Sequence, residues 1–249
     1  MHKETAEKFK QGLLTFARYA FAPNYYKYCG PDKSNDLAEA LVGHYDERGL
    51  LEILSQFEAA VPYLNLIARS NNISDIFDQR VVSAYWLGNN LLFKVPSKLF
   101  YQTFSDVEIK KRAGKNFHQI KKQLLFGAKP HHSFHVFDIY RFAGLSKTGK
   151  NNIDLLKLIN NCRISWGRVR KIDDEDQLIE VESEKIIEKI KKLKFENCRM
   201  KVKNISLKIK EGDLVSTHWG FVCDKITKTE ANNLHFWTEY HLNITNQAI

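Results

Sequence analysis

The stretch Gly212–Thr227, GDLVSTHWGFVCDKIT, decides how the C-terminal part of this chain is read. Glu211-Gly212-Asp213 has the residues of a tight turn. Leu214, Val215, Phe221 and Val222 form a short β-rich run, and His218 sits in its middle. Upstream, the same texture recurs: Ile164, Trp166 and Val169, then Leu178, Ile179 and Val181, then Val202, Ile205, Leu207 and Ile209. Asp173-Asp174-Glu175-Asp176 reads as a hairpin turn. Lys185 to Lys194 is a charged insert with no clear period, and Thr229 to His241 reads as a terminal helix. A small antiparallel β-barrel over 161–241, closed by a helix, accounts for this pattern most simply.

The period changes on the N-terminal side. Ala6, Phe9, Leu13, Phe16, Ala17 and Ala20 recur at helical spacing and predict an amphipathic helix over 4–21, ended at Ala22-Pro23-Asn24. A tyrosine-rich turn follows, Tyr25 to Asp32. Further helices are predicted over 36–46, from Gly49 through Ile67, and from Ser74 or Asp75 through Leu92. Weaker signals cover 97–112 and 115–126, and a short helix 153–160 leads into the β region. The expected fold class is therefore α+β. An all-α helical domain spans 1–150, and an OB-like barrel domain with its closing helix spans 151–249.

Composition narrows the functional classes. The 249 residues are 43% hydrophobic and 27% charged, enough to form a buried core. No apolar run approaches the ~20 residues of a membrane helix, and the polar, acid-containing N-terminus does not read as a signal peptide. A cytoplasmic location is expected. The four cysteines, Cys29, Cys162, Cys198 and Cys223, include no C-x-x-C pair, so free thiols are expected. The net charge of +9 is spread over helical faces and forms no basic block. No stacking motif of the known barrel binders accompanies it, which speaks against nucleic acid as a partner.

Two elements occur in a telling order. Cys162-Arg163-Ile164-Ser165-Trp166-Gly167-Arg168-Val169 is predicted to open the first strand, and Gly212 to Val222 to end the barrel. Together they resemble the small hydrogenase-maturation chaperones of the HypC/HupF family. Those begin with a Cys-x-x-x-x-Gly-x-Val strand and end with Gly-Asp-x-Val-x-x-His-x-Gly-Phe-Ala. The resemblance covers roughly the last third of the chain. It implies that Cys162 and His218 meet and hold iron, with its cyanide and carbonyl ligands, for a hydrogenase large subunit or another maturation protein. A thiolate and an imidazole are suitable ligands for such a metal, and Arg163 beside the cysteine is expected to favour the thiolate. The family's cysteine lies at the extreme N-terminus, whereas Cys162 is internal.

A second candidate site lies in the helical half. Lys129-Pro130-His131-His132-Ser133-Phe134-His135-Val136-Phe137 carries three imidazoles within five residues, a composition suited to a metal. His131 and His135 share a face on a helix or on a strand, and on a strand His132 points away. Asp138 is placed to orient a ligating imidazole, and Cys29 is a candidate nucleophile or ligand meeting this cluster. A metal- or thiol-dependent enzyme built on His131, His132, His135 and Cys29, or a basic nucleic-acid-binding protein, is therefore the alternative to a metallocentre-assembly accessory protein. The chain as a whole also resembles an uncharacterised family with a Phe16-Ala17-Arg18-Tyr19-Ala20 to Tyr28-Cys29-Gly30-Pro31 start and a Pro130–Phe137 centre.

Overall fold

A computed structural model of the chain describes residues 3–104, 124–140, 155–173 and 178–247. The expected helices over 105–112 and 115–123, the start of the helix at 153–154, and the turn residues Asp174 to Asp176 lie outside these residues.

The first helix, α1 (Lys3–Tyr25), buries Leu13, Phe16, Ala17 and Ala20 as its period predicts. It does not stop at Ala22 but runs on through Pro23. A proline inside a helix cannot donate to the carbonyl four residues back, so the Tyr19 carbonyl must find another donor. Around α1 lie α2 (Ser34–Leu41), α3 (Glu47–Ser55), α4 (Val61–Ser70) and α5 (Gln79–Trp86). A 3-10 turn at Asn90–Lys94 and α6 (Ser97–Phe104) follow. The single helix expected from Gly49 through Ile67 is broken into α3 and α4. Pro62 falls in the first turn of α4, where its missing N–H costs nothing, so it starts a helix instead of continuing one. Asp46 caps α3 by accepting from the Gly49 N–H at 2.7 Å, and Asp78 caps α5.

One helical turn, α7 (His132–Phe134), continues as a π-helix over His135–Tyr140. Helix α8 (Leu155–Cys162) then leads to β1 (Ser165–Asp173), β2 (Leu178–Lys189), β3 (Lys192–Lys203), β4 (Leu214–His218), β5 (Phe221–Lys225) and the terminal α9 (Lys228–Gln247). Cys162 thus ends a helix; it does not open β1 as expected. The charged insert at 185–194 is the tip of the long β2–β3 hairpin. Its turn residues Ile190 and Lys191 sit at φ of 54° and 56°, a left-handed pair made without glycine or asparagine. Ile205, Leu207 and Ile209 are not strand residues, for the Asn204 side chain turns the chain by bonding both backbone groups of Leu207.

Among the described residues the chain is a mixed α+β structure with one five-stranded sheet. Its pairing order is β1-β2-β3-β5-β4, and β4 pairs back onto β1. All ladders are antiparallel except β3–β5, which meet in parallel at Lys203 and Phe221. The run around His218 is not one strand. β4 ends at His218 and β5 starts at Phe221, with Trp219 (φ 50°) and Gly220 (φ 78°) forming a two-residue turn.

One cluster of buried side chains joins the helices to the sheet, running from Leu13 and Phe16 through Tyr85 and Phe134 to Cys162, Cys223 and Trp237. A smaller cluster of Val169, Ile179, Val181, Val202, Val215 and Val222 lies among the strands. Helix α1 is keyed to β4 and β5 by the Tyr19 hydroxyl on Ser216 Oγ at 2.7 Å and by Arg18 on Asp224 at 3.0 Å. No helix among the described residues is long and apolar enough to cross a membrane.

Candidate metal centre

The docking of α1 on β4 settles the chemistry of His218. Its Nδ1 lies 2.7 Å from the Tyr19 carbonyl, the acceptor that Pro23 left without a helical donor. A carbonyl accepts only, so Nδ1 carries the proton and Nε2 the lone pair. That Nε2 is buried and has no hydrogen-bond partner. Burial is the main influence on the ring and pushes its pKa down to about 4; the Tyr19 carbonyl opposes this, as does the Cys162 carbonyl, which bonds His132 and lies near the His218 ring outside hydrogen-bond geometry. The imidazole is therefore neutral, as a metal ligand must be.

Cys162 comes to the same place from the end of α8. The Trp219 N–H bonds the Asn161 carbonyl at 2.9 Å, so the β4–β5 turn caps α8 where the cysteine sits. Burial, reinforced by the Cys29 thiol, pushes the Cys162 thiol up to about 12. The Trp219 indole N–H pulls the other way, although it falls short of hydrogen-bond geometry.

The third member is His132. Pro130 delivers the chain to α7, where the His131 ring accepts from the Ser133 N–H and caps the turn. His132 Nε2 donates to the Cys162 carbonyl at 2.8 Å, and Nδ1 accepts from the Tyr85 hydroxyl at 3.2 Å. The His132 and His218 rings are nearly perpendicular, with centroids 5.2 Å apart. Trp86 walls both, at 4.6 Å and 5.9 Å. One ligating atom from each of His132, Cys162 and His218 lies within 4.8 Å of the others, and the three residues are 5%, 7% and 2% exposed. Burial and the neighbouring His218 hold the His132 ring neutral.

Two imidazoles and one thiol suit zinc, iron or copper, because soft sulfur and intermediate nitrogen match these ions better than calcium or magnesium. The fit is asymmetric. His218 offers a free lone pair, whereas His132 must exchange either its Tyr85 bond or its Cys162 carbonyl bond to become a ligand.

The other expected residues fall elsewhere. The His131/His132/His135 trio does not form a common site. His131 faces Ser133, whose hydroxyl also meets His241 at 2.8 Å, and His241 Nε2 accepts from the Lys129 N–H. His135 lies beside His132, ring to ring at 6.0 Å, and edge-on to Tyr63. The side chain of Asp138 lies outside the described residues. Arg163 is buried but turns away from the thiol. It donates to the Glu184 carbonyl and lies over Trp166 and Phe195 at 5.7 Å and 6.0 Å. The ionisable groups that act on it are Cys198 and Glu184, so it does not favour a Cys162 thiolate as expected. Cys29 is half-buried in the tyrosine-rich turn. Sequence reasoning missed Tyr19, Tyr85 and Trp86 as the groups that orient the two histidines.

No curated protein and no solved structure matches the chain. A family model does, the family of unknown function DUF6390, over residues 8–249. The chain therefore belongs to the DUF6390 family.

Proposed function

We propose that this protein is a metallocentre-assembly accessory protein that holds a transition-metal ion between His132, Cys162 and His218. The observation that carries the reading is the buried, unpartnered Nε2 of His218 beside a thiol and a second neutral imidazole. A buried polar atom without a partner is costly, and a metal ion would satisfy it. We read the ring of five strands as a HypC-type barrel and the ion as iron, with a hydrogenase large subunit or another maturation protein as client. The support for that finer reading is that Cys162 and His218, the two residues singled out by the HypC/HupF resemblance, are neighbours. The burial of both implies that cargo enters and leaves through an opened form. The alternative enzyme has less support, since His131 and His135 point to partners of their own.

Anaerobic purification from the native host, followed by metal analysis and infrared spectroscopy, tests the proposal. About one iron per chain with cyanide or carbonyl bands, lost in Cys162→Ser, is the expected result. Iron without those bands would replace the hydrogenase reading with a simpler iron carrier. Absence of any bound metal would overturn the proposal.

A further inference from the structure

The β2–β3 hairpin leaves one strand edge open. The left-handed pair Ile190 and Lys191 makes Lys189 and Lys192 the hydrogen-bonded pair beside the turn. Pairing then alternates, so the odd-numbered residues of β3 turn their N–H and C=O groups away from β2. Contacts at the two ends of β3 agree. The Leu193 N–H donates to Asn246 Oδ1 at 2.8 Å, and its carbonyl accepts from Asn246 Nδ2 at 2.9 Å. The Lys203 N–H donates to the Gly220 carbonyl at 2.8 Å. Between these ends, the N–H and C=O groups of Phe195, Asn197, Arg199 and Lys201 have no partner among the described residues. The opposite edge of the hairpin is treated differently. Asn160 bonds both backbone groups of Ile186, and Arg163 donates to the Glu184 carbonyl. Side chains thus close β2 beyond its pairing with β1, whereas β3 stays open.

An open edge takes up an extended segment by the same backbone bonds that join strands in a sheet. The side chains along this edge select the charge of that segment. Lys192, Lys194 and Lys201 are exposed and have no acidic partner among the described residues. Glu196, the one acid of β3, is already held by Lys185 at 2.9 Å, and Arg199 reaches Glu180 on β2. A second copy of β3 would set lysines against lysines. The charge that disfavours such self-pairing favours an acidic strand. At the hairpin end the edge meets a groove of about 640 Å³ between β3 and α9. Leu193, Phe195 and Leu242 line it, with Lys192, Lys194 and Glu239 as its charged residues. We propose that β3 is a docking edge for an extended, acidic segment of a partner protein. About seven residues of that segment add as a strand along Phe195–Lys201. An apolar side chain enters the groove, and carboxylates lie beside Lys194 and Lys201. This docking does not depend on the metal centre.

The test uses the full-length chain with a synthetic peptide of alternating valine and glutamate that carries leucine at one end. The same peptide with lysine in place of glutamate is the control for charge. Amide hydrogen exchange followed by nuclear magnetic resonance reads the edge residue by residue. The acidic peptide is expected to slow exchange at Phe195, Asn197, Arg199 and Lys201 at least tenfold, and the basic peptide to slow none of them. Asn197→Pro removes an N–H that faces no strand, a position where an edge tolerates proline. It should abolish the slowing at the remaining positions, while Asn197→Ala keeps it. If Asn197→Pro does not fold, Lys194→Glu with Lys201→Glu should weaken binding of the acidic peptide at least tenfold. No slowing with the acidic peptide, or equal slowing with both peptides, would overturn the proposal. Slowing that grows with protein concentration in the absence of peptide would assign the edge to a second copy of the chain and overturn the acidic partner.

Discussion

The Tyr19 carbonyl accepts from His218 Nδ1 at 2.7 Å across 199 positions of sequence. Pro23 makes this bond possible by leaving that carbonyl without a helical donor. A proline in the last turns of α1 thereby sets the tautomer of a histidine at the end of β4, and with it the nitrogen that carries a lone pair at the centre.

Replacing Pro23 with alanine restores a backbone N–H that competes for the Tyr19 carbonyl. Helix α1 is expected to remain intact by circular dichroism. Zinc affinity is expected to fall several-fold, on the order of 1 kcal/mol for one hydrogen bond, as measured by calorimetric titration. Unchanged affinity would show that the Tyr19 bond does not orient His218.

Acid should unfold the protein early. His218 is held near pKa 4 and His241 near 3, and His131 and His132 are also lowered, all by burial. A histidine whose folded pKa is depressed binds more protons when unfolded, so stability falls as pH drops below the unfolded value of ~6.5. His218 alone accounts for about 3 kcal/mol by pH 4 at ~1.4 kcal/mol per unit. The melting temperature should drop steeply between pH 6.5 and 4, and less so in His218→Gln. A flat profile over that range would contradict neutral burial of these rings.

Thiol accessibility gives a third check. Cys29 and Cys198 are half-buried, whereas Cys162 and Cys223 are buried; burial raises the pKa of Cys162, Cys223 and also Cys198. An alkylating reagent at pH 8 should label Cys29 and Cys198 first, because the reactive species is the accessible thiolate. Mass spectrometry of timed samples reads the order. Early labelling of Cys162 in the folded chain would contradict its burial.

Gly12 should not tolerate a side chain. A Cβ there would lie 1.7 Å from the Phe77 carbonyl oxygen, which is backbone and cannot step aside. Gly12→Ala is expected to cost roughly 2 kcal/mol or more, within the range of overpacked cores. Denaturant unfolding would measure it.

The amphipathic period of α1 and the β texture after Ser165 were legible in the sequence because each rests on local spacing. The pairing of Cys162 with His218 was legible only through two short motifs in a particular order. His132 was not, since spacing from His131 and His135 is ambiguous and its partners Tyr85 and Cys162 are remote in sequence. The turn at Ile190 and Lys191 escaped because neither residue announces a left-handed backbone. Trp219 hid the break between β4 and β5 in the same way, leaving Gly220 as its one local sign.

Metal uptake by the intact, reduced chain tests the central claim most directly. Titration with cobalt or zinc ion should reach one equivalent, and His218→Ala with Cys162→Ser should abolish uptake while the far-ultraviolet circular dichroism stays that of a folded protein. Equal uptake by that double variant, or none by the unsubstituted chain, would contradict a centre at His132, Cys162 and His218.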